Sequence, residues 1–169
     1  MKSGKDSIRF ESERKVVSED TLWNLNFLLN ASKVGYTPFV GYYYRYNNIS
    51  LSRTHTREKT EKLKDLLIIV NNTLESNMPK EKYTLHFQRF VFFIFRISIK
   101  YEAILTKGKQ RETNIIRNCE DPLMNLLYKS YPYDKLPLPK RIFFFLMKYK
   151  LIYPLIYISK LDNIRNKVI

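Results

Sequence analysis

Two adjacent carboxylates, Glu19 and Asp20, are the acidic residues best placed for catalysis in this sequence. They directly follow Ser18, a residue type that often caps a helix, and leucines at helical spacing come after them. Free backbone N–H groups and the helix dipole at such an N-terminus keep carboxylates ionised. An ionised carboxylate that faces a cleft can act as a general base toward a substrate hydroxyl, whereas acids in a first helical turn commonly only cap the helix.

The segments around this acidic pair alternate between helix and strand signals. Four leucines between residues 22 and 29 predict a helix from residue 19 to about residue 34, which Gly35 should end. Short alternating or aromatic runs predict strands at residues 8–10, 36–40 and 42–46. The asparagine pair after the last of these runs predicts a turn.

This order of elements resembles part of a known enzyme family. The segment SEDTLW, residues 18–23, opens a helix, and the segment YYYRYNNISLS, residues 42–52, follows it as a strand and a turn. Over about residues 1–55 the chain looks like the acceptor-side part of a family 2 glycosyltransferase of the GT-A type. The resemblance implies an inverting enzyme of polysaccharide and cell-envelope synthesis, whose acceptor is a polysaccharide or a lipid-linked glycan.

The resemblance assigns a role to four residues. It makes Asp20 the base that deprotonates the acceptor hydroxyl and Glu19 its neighbour or a second acceptor ligand. It makes Trp23 a flat platform for a sugar ring, and Arg45 a counter-charge to a diphosphate or lipid-linked acceptor. Alternatives stay open at each position: the acids could cap the helix, Trp23 could pack on a core, and Arg45 could pair with a nearby acid.

The donor-binding features of that family are not found in this sequence. The aspartates lie at positions 6, 20, 65, 121, 134 and 162, so the metal-binding Asp-x-Asp pattern is absent. Glu11 and Glu13 have that spacing but lie in a short polar segment, and we predict no metal site in this chain. We expect no cofactor either, because the nucleotide-sugar and its divalent metal belong with the missing donor half. The chain alone should be inactive, because transfer needs a donor held in line with the acceptor; a donor-binding half or partner subunit would supply it.

The rest of the chain has a helical pattern. Helices are predicted over residues 57–75, from Pro79 through residue 99, and over about residues 110–129, followed by a proline-punctuated connector. The expected fold class is therefore α+β and helix-rich: a partial GT-A-like α/β piece and a helical C-terminal region. The predicted divisions are residues 1–55, the acceptor-side segment; 56–130, the helical region; and 131–169, a basic aromatic tail.

The tail suggests a second, non-catalytic function. The chain carries 30 Lys and Arg against 16 Asp and Glu, a net charge of +14, and residues 140–169 hold seven basic residues and one acid. Phenylalanines and tyrosines are interleaved with these charges, and Tyr149, Tyr153 and Tyr157 would form one stripe on a continuous helix, which Pro154 should kink or break. Such a segment could bind the headgroup layer of an anionic membrane, or pack its aromatic stripe on the core.

The same composition bears on partners and location. No zinc-finger spacing, aromatic RNA-binding motif or glycine-interleaved basic arm is present, so we do not expect nucleic acid as a partner. One cysteine, Cys119, favours a reducing compartment. We expect a cytoplasmic protein, peripheral on the inner face of the cell membrane if the tail binds lipid. The alternative to the transferase is thus a basic helical module that binds a membrane surface or a partner without catalysis.

Overall fold

The computed structural model describes residues 18–39, 41 and 57–165. The chain divides into two compact units, Met1–Asn77 and Met78–Ile169. The predicted strands at residues 8–10 and 42–46, and with them Arg45, Glu11 and Glu13, lie outside the described residues.

The first unit contains two described helices, α1 (Glu19–Asn30) and α2 (Arg57–Asn77). The helix predicted over residues 57–75 is confirmed as α2, and its Leu63, Leu66, Leu67 and Val70 are all buried. These positions recur at three- and four-residue spacing, which places them on one side of a helix. Helix α1 ends at Asn30, four residues before the predicted end, and the backbone turns to an extended conformation at its C-cap.

The prediction of an α+β fold is wrong. Across residues 18–39, 41 and 57–165 the ordered elements are helices, and no strand occurs there. Residues 36–39 of the strand predicted at 36–40 form neither helix nor strand, and Tyr36 is 93% exposed. The physical reason is that no strand in the described part of the chain pairs with this segment: the backbone N–H of Phe39 donates to the Thr37 hydroxyl (3.2 Å), and Pro38 has no N–H to offer a neighbouring strand.

Over residues 78–165, the second unit is a bundle of five helices joined by short connections. These are α3 (Lys80–Leu105), α4 (Gly108–Cys119), α5 (Pro122–Ser130), α6 (Leu138–Lys148) and α7 (Ile152–Arg165), with a 3₁₀ turn at Tyr133–Lys135. The longest helix, α3, packs against α4, α5 and α7, and α6 packs against α7 and the 3₁₀ turn. The expected helix after Pro79 is confirmed and extends to Leu105.

The predicted helix over residues 110–129 is interrupted. Asp121 caps α5, because its carboxylate accepts a hydrogen bond from the N–H of Leu123 (3.1 Å), and Pro122 occupies the first helical position. Proline is well tolerated there, since its missing N–H would have had no helical partner. The Asp-Pro pair therefore starts a new helix, and both α4 and α5 pack against α3.

Phe144 is at the centre of the aromatic core of this unit. The ring is 1% exposed and makes edge contacts with Phe92 and Tyr128, at centroid distances of 5.4 and 5.5 Å. It also stacks on Tyr133 (5.5 Å, 8° between planes). These contacts attach α6 to α3, α5 and the 3₁₀ turn, so α6 is an integral part of the fold.

Candidate functional site

Helix α6 carries apolar residues on two opposite sides. Phe143, Phe144, Leu146 and Met147 are buried against the rest of the unit. On the other side, four apolar residues at i, i+4, i+7 and i+11 are 44–64% exposed; we call them the outer face of α6: Leu138, Ile142, Phe145 and Tyr149. At 100° per residue all four fall within about 60° of one another and point away from the buried side. An amphipathic surface helix would have charged residues there instead.

Helix α7 repeats this arrangement. Leu155, Ile156 and Ser159 are buried, while Tyr153 is 72% exposed and Tyr157 65%. Together with Leu161, these two tyrosines form the outer face of α7, at spacings of four residues. Pro154 lies in the first turn of α7, where the helix tolerates it.

A tight turn joins the two helices and separates the tyrosines that a continuous helix would have aligned. Tyr149 is the C-cap of α6, and Lys150 adopts the left-handed conformation with φ at 52°. The N–H of Leu151 then donates to the carbonyl of Leu146 (2.9 Å), and that of Lys150 to Met147 (3.1 Å). This is the Schellman pattern that closes a helix C-terminus. Tyr149 therefore belongs to α6, and Tyr153 and Tyr157 to α7.

The charge along these two helices is strongly positive. Residues 138–165 contain six basic residues and one acid, Asp162, whose carboxylate pairs with Lys100. Lys150 pairs with Glu120 at 2.5 Å, and the Lys148 ammonium lies 5.8 Å from the centroid of the Tyr133 ring. Lys140 and Lys160 are exposed and form no ion pair with any residue of the described part. The outer faces are thus flanked by cations, and the nearby acid is already paired.

The structure brings three of the four predicted catalytic or substrate-binding residues together on α1. Glu19 and Asp20 form its first turn and Trp23 follows in the next, while Arg45 lies outside the described residues. Asp20 is exposed, and its carboxylate accepts a hydrogen bond from the N–H of Thr21 (2.8 Å). Ser18 does not cap with its hydroxyl: its φ is 63°, and its carbonyl accepts from the same N–H.

Trp23 is half-buried and stacks on Phe27, with ring centroids 5.3 Å apart and planes 7° apart. Asp20 and Trp23 are three residues apart and share a side of the helix, so a ligand could touch both. Within residues 18–39, 41 and 57–165 there is no group of three His, Cys, Asp or Glu side chains that could hold a metal ion.

Sequence reasoning missed a cleft in the second unit. Its volume is about 320 Å³, and α3 lines one side while the 131–140 connection lines the other. Its four basic side chains are Arg89, Arg96, Lys135 and Lys140. The seven-residue spacing of the two arginines, with Phe93 between them, was a signal for one wall of this basic cleft; the lysines of the other wall had no local pattern that would place them opposite.

None of the helices in the described part of the chain combines the length and the apolar content needed to cross a bilayer. Comparison with protein-family models, curated proteins and solved structures gave no match.

Proposed function

We propose that this chain binds an anionic membrane surface through the outer faces of α6 and α7. The observation that carries the proposal is the pair of apolar sides on α6, because folding requires only the buried one. Exposed aromatic and aliphatic side chains flanked by Lys and Arg are the combination that places a helix in the headgroup layer.

The charges support a membrane as the occupant. Each Lys or Arg held close to an anionic leaflet contributes about 1 kcal/mol of binding free energy, so Lys148 and Lys160 together would add about 2 kcal/mol. A second copy of the chain fits the same faces less well, because two molecules of charge +14 repel each other. The single buried cysteine, Cys119, is compatible with the cytoplasmic side as the location of this membrane.

Vesicle flotation tests the electrostatic part of this proposal. The full chain should float with phosphatidylcholine vesicles that contain phosphatidylserine and should float poorly with phosphatidylcholine alone. Lys148→Gln/Lys160→Gln should lower the affinity about tenfold or more, since two charges are removed beside the outer faces. Lys107→Gln/Arg117→Gln is the matched control, because it removes the same charge from exposed positions on or beside α4. Equal loss in both pairs, or indifference to phosphatidylserine, would refute the proposal.

Deletion of the tail is the wrong variant for this test. Removing residues 140–169 would also remove Phe144, Met147 and Leu155, each at most 1% exposed. Loss of binding would then report an unfolded protein. Point substitutions on the outer faces avoid this problem because they leave the buried side intact.

We also propose a second function, in which α1 contributes the acceptor side of an inverting sugar transfer. The juxtaposition of Asp20, Glu19 and Trp23 on one helix supports it: a carboxylate open to solvent lies one turn from a stacked aromatic pair. Asp20 would take the proton of the acceptor hydroxyl while Trp23 holds the sugar ring, and a separate donor-binding part would hold the nucleotide-sugar. A membrane-bound chain would meet a lipid-linked acceptor at the same surface.

A further inference from the structure

We propose that the basic cleft binds a small ligand whose phosphate carries at least two negative charges. This goes beyond the membrane proposal, because the cleft uses side chains that do not belong to the outer faces of α6 and α7. Arg89, Phe93 and Arg96 follow one another at i, i+4 and i+7 on α3, and the two arginines are about 10.5 Å apart along the helix axis. Lys135 and Lys140 line the opposite wall.

No described residue supplies a counter-charge to the four cations. The described lining contains no Asp or Glu, and the side chain of none of the four forms an ion pair or a hydrogen bond with any described residue. Asp134 precedes Lys135 in the chain, yet its carboxylate pairs with none of the four within the described part. Elsewhere in the same unit, Lys100 and Lys150 do find acidic partners. Like charges gathered around one small cleft repel each other, and a bound polyanion would relieve that repulsion.

The other lining residues would strengthen the binding of a phosphate. Phe92, Tyr131 and Leu136 are at most 9% exposed, so they form an apolar floor from which water is partly excluded. Charge interactions at such a floor are screened less than on an open surface. Arginine binds phosphate oxygens in a planar, two-bond geometry, and two arginines with two lysines can neutralise more than one negative charge.

The size of the cleft limits the ligand. A volume of about 320 Å³ lies at the lower end of small-molecule sites, which suits a phosphorylated group rather than a polymer. A diphosphate or a phosphate monoester fits this description. The group could belong to a lipid headgroup or to a soluble phosphate ester, and one experiment separates these sources.

Isothermal titration of the full chain with pyrophosphate tests the proposal. The chain should bind one pyrophosphate, and chloride at matched ionic strength should not replace it. Arg89→Gln/Arg96→Gln should weaken this binding by about tenfold or more, since each lost bond is charge-assisted. The control Lys107→Gln/Arg117→Gln, which has the same net charge of 14 − 2 = +12, should change it less than about twofold. Lys135→Gln/Lys140→Gln repeats the test from the other wall if the arginine variant fails to fold.

Absence of pyrophosphate binding, or equal weakening by the cleft and control pairs, would overturn the proposal. If pyrophosphate does bind at the cleft, an experiment with vesicles identifies the source of the phosphate. If pyrophosphate displaces the chain from vesicles with phosphatidic acid, and the arginine pair reduces the preference for phosphatidic acid over phosphatidylserine, the ligand is a lipid headgroup. If pyrophosphate binds but the two vesicle types are treated alike, it is a soluble phosphate ester. Failure of the membrane proposal is recognised separately, as pyrophosphate binding without flotation on either vesicle.

Discussion

Phe145 lies in the middle of the outer face of α6 and is the most informative single residue for the membrane proposal. Its ring is 49% exposed and packs on Tyr149 at a centroid distance of 4.5 Å. A buried aromatic side chain covers 150–250 Å², so half of one gives roughly 100 Å², or about 2.5 kcal/mol on transfer from water. Alanine keeps about 0.8 kcal/mol of this as its methyl group, which leaves about 1–2 kcal/mol for Phe145→Ala.

That free energy corresponds to about a tenfold loss of vesicle affinity. The assay is flotation with phosphatidylcholine–phosphatidylserine vesicles over a range of lipid concentration, with the bound fraction fitted to a partition coefficient. The fold should survive, because about half of the ring is already exposed and a lost aromatic pair with Tyr149 costs less than about 1.5 kcal/mol. A thermal melt of the variant verifies this.

Two leucines provide a matched control for the same assay. Leu138 on the outer face of α6 is 64% exposed, and Leu126 on α5 is 63% exposed. Leu138→Ala should weaken vesicle binding by severalfold, and Leu126→Ala should leave it unchanged, although both substitutions shorten an equally exposed leucine side chain by the same apolar group. Unchanged binding of Phe145→Ala, or equal loss in the two leucine variants, would refute the reasoning that the outer faces make the contact.

Three further predictions concern the fold and α1. Phe144→Ala should destabilise the protein by about 3–5 kcal/mol in urea unfolding, because a ring 1% exposed leaves a cavity among its aromatic neighbours; a loss below 1 kcal/mol would contradict its central place. Burial raises the pKa of the Cys119 thiol to about 12. The pKa of the thiol in the unfolded chain is about 8.5, so the buried thiol stabilises the fold below pH 8.5. That contribution should be lost as pH rises toward 12, at up to about 1.4 kcal/mol per pH unit. A Cys119→Ala variant should therefore show a shallower decline in melting temperature over that range. If α1 serves sugar transfer, Asp20→Asn should abolish transfer that is assayed with a donor-binding partner and a lipid-linked acceptor. The control Asp65→Asn on α2 should keep its activity, and equal activity of the two variants would exclude Asp20 as the base.

The helices were predictable where their signals are local. The leucine spacing in residues 63–70 and the proline before α3 are readable without knowing what packs against them, and both gave correct helices. The strand expected from residue 36 fails because a strand exists only when another strand supplies its hydrogen bonds, and alternation alone does not provide that partner. Within residues 36–39, Pro38 has no N–H and the N–H of Phe39 donates to the Thr37 hydroxyl, so neither position offers a donor to a neighbouring strand.

The candidate site was predictable in composition but not in geometry. Interleaved aromatic and basic residues indicate a surface-binding segment, yet the run Phe143, Phe144 and Phe145 does not reveal which ring is buried. Tertiary contacts decide this: Phe143 and Phe144 are buried, the latter among rings of α3, α5 and the 3₁₀ turn, whereas Phe145 is 49% exposed. The second wall of the basic cleft depends on how the 131–140 connection folds back along α3, which is likewise a long-range property.

Packing on the core and binding a membrane are compatible for the tail, because α6 has one buried and one exposed apolar side. The buried Phe144 and Met147 make α6 part of the core. In contrast, Leu138, Ile142 and Phe145 are apolar at exposed positions, where a surface helix normally carries polar residues. A polar outer face would give the same bundle with less exposed apolar surface, so the core cannot explain these residues. A partner that binds this side of α6 would explain them. An anionic surface is the partner we propose, because cations surround these residues and the one acid of residues 138–165, Asp162, is already paired with Lys100.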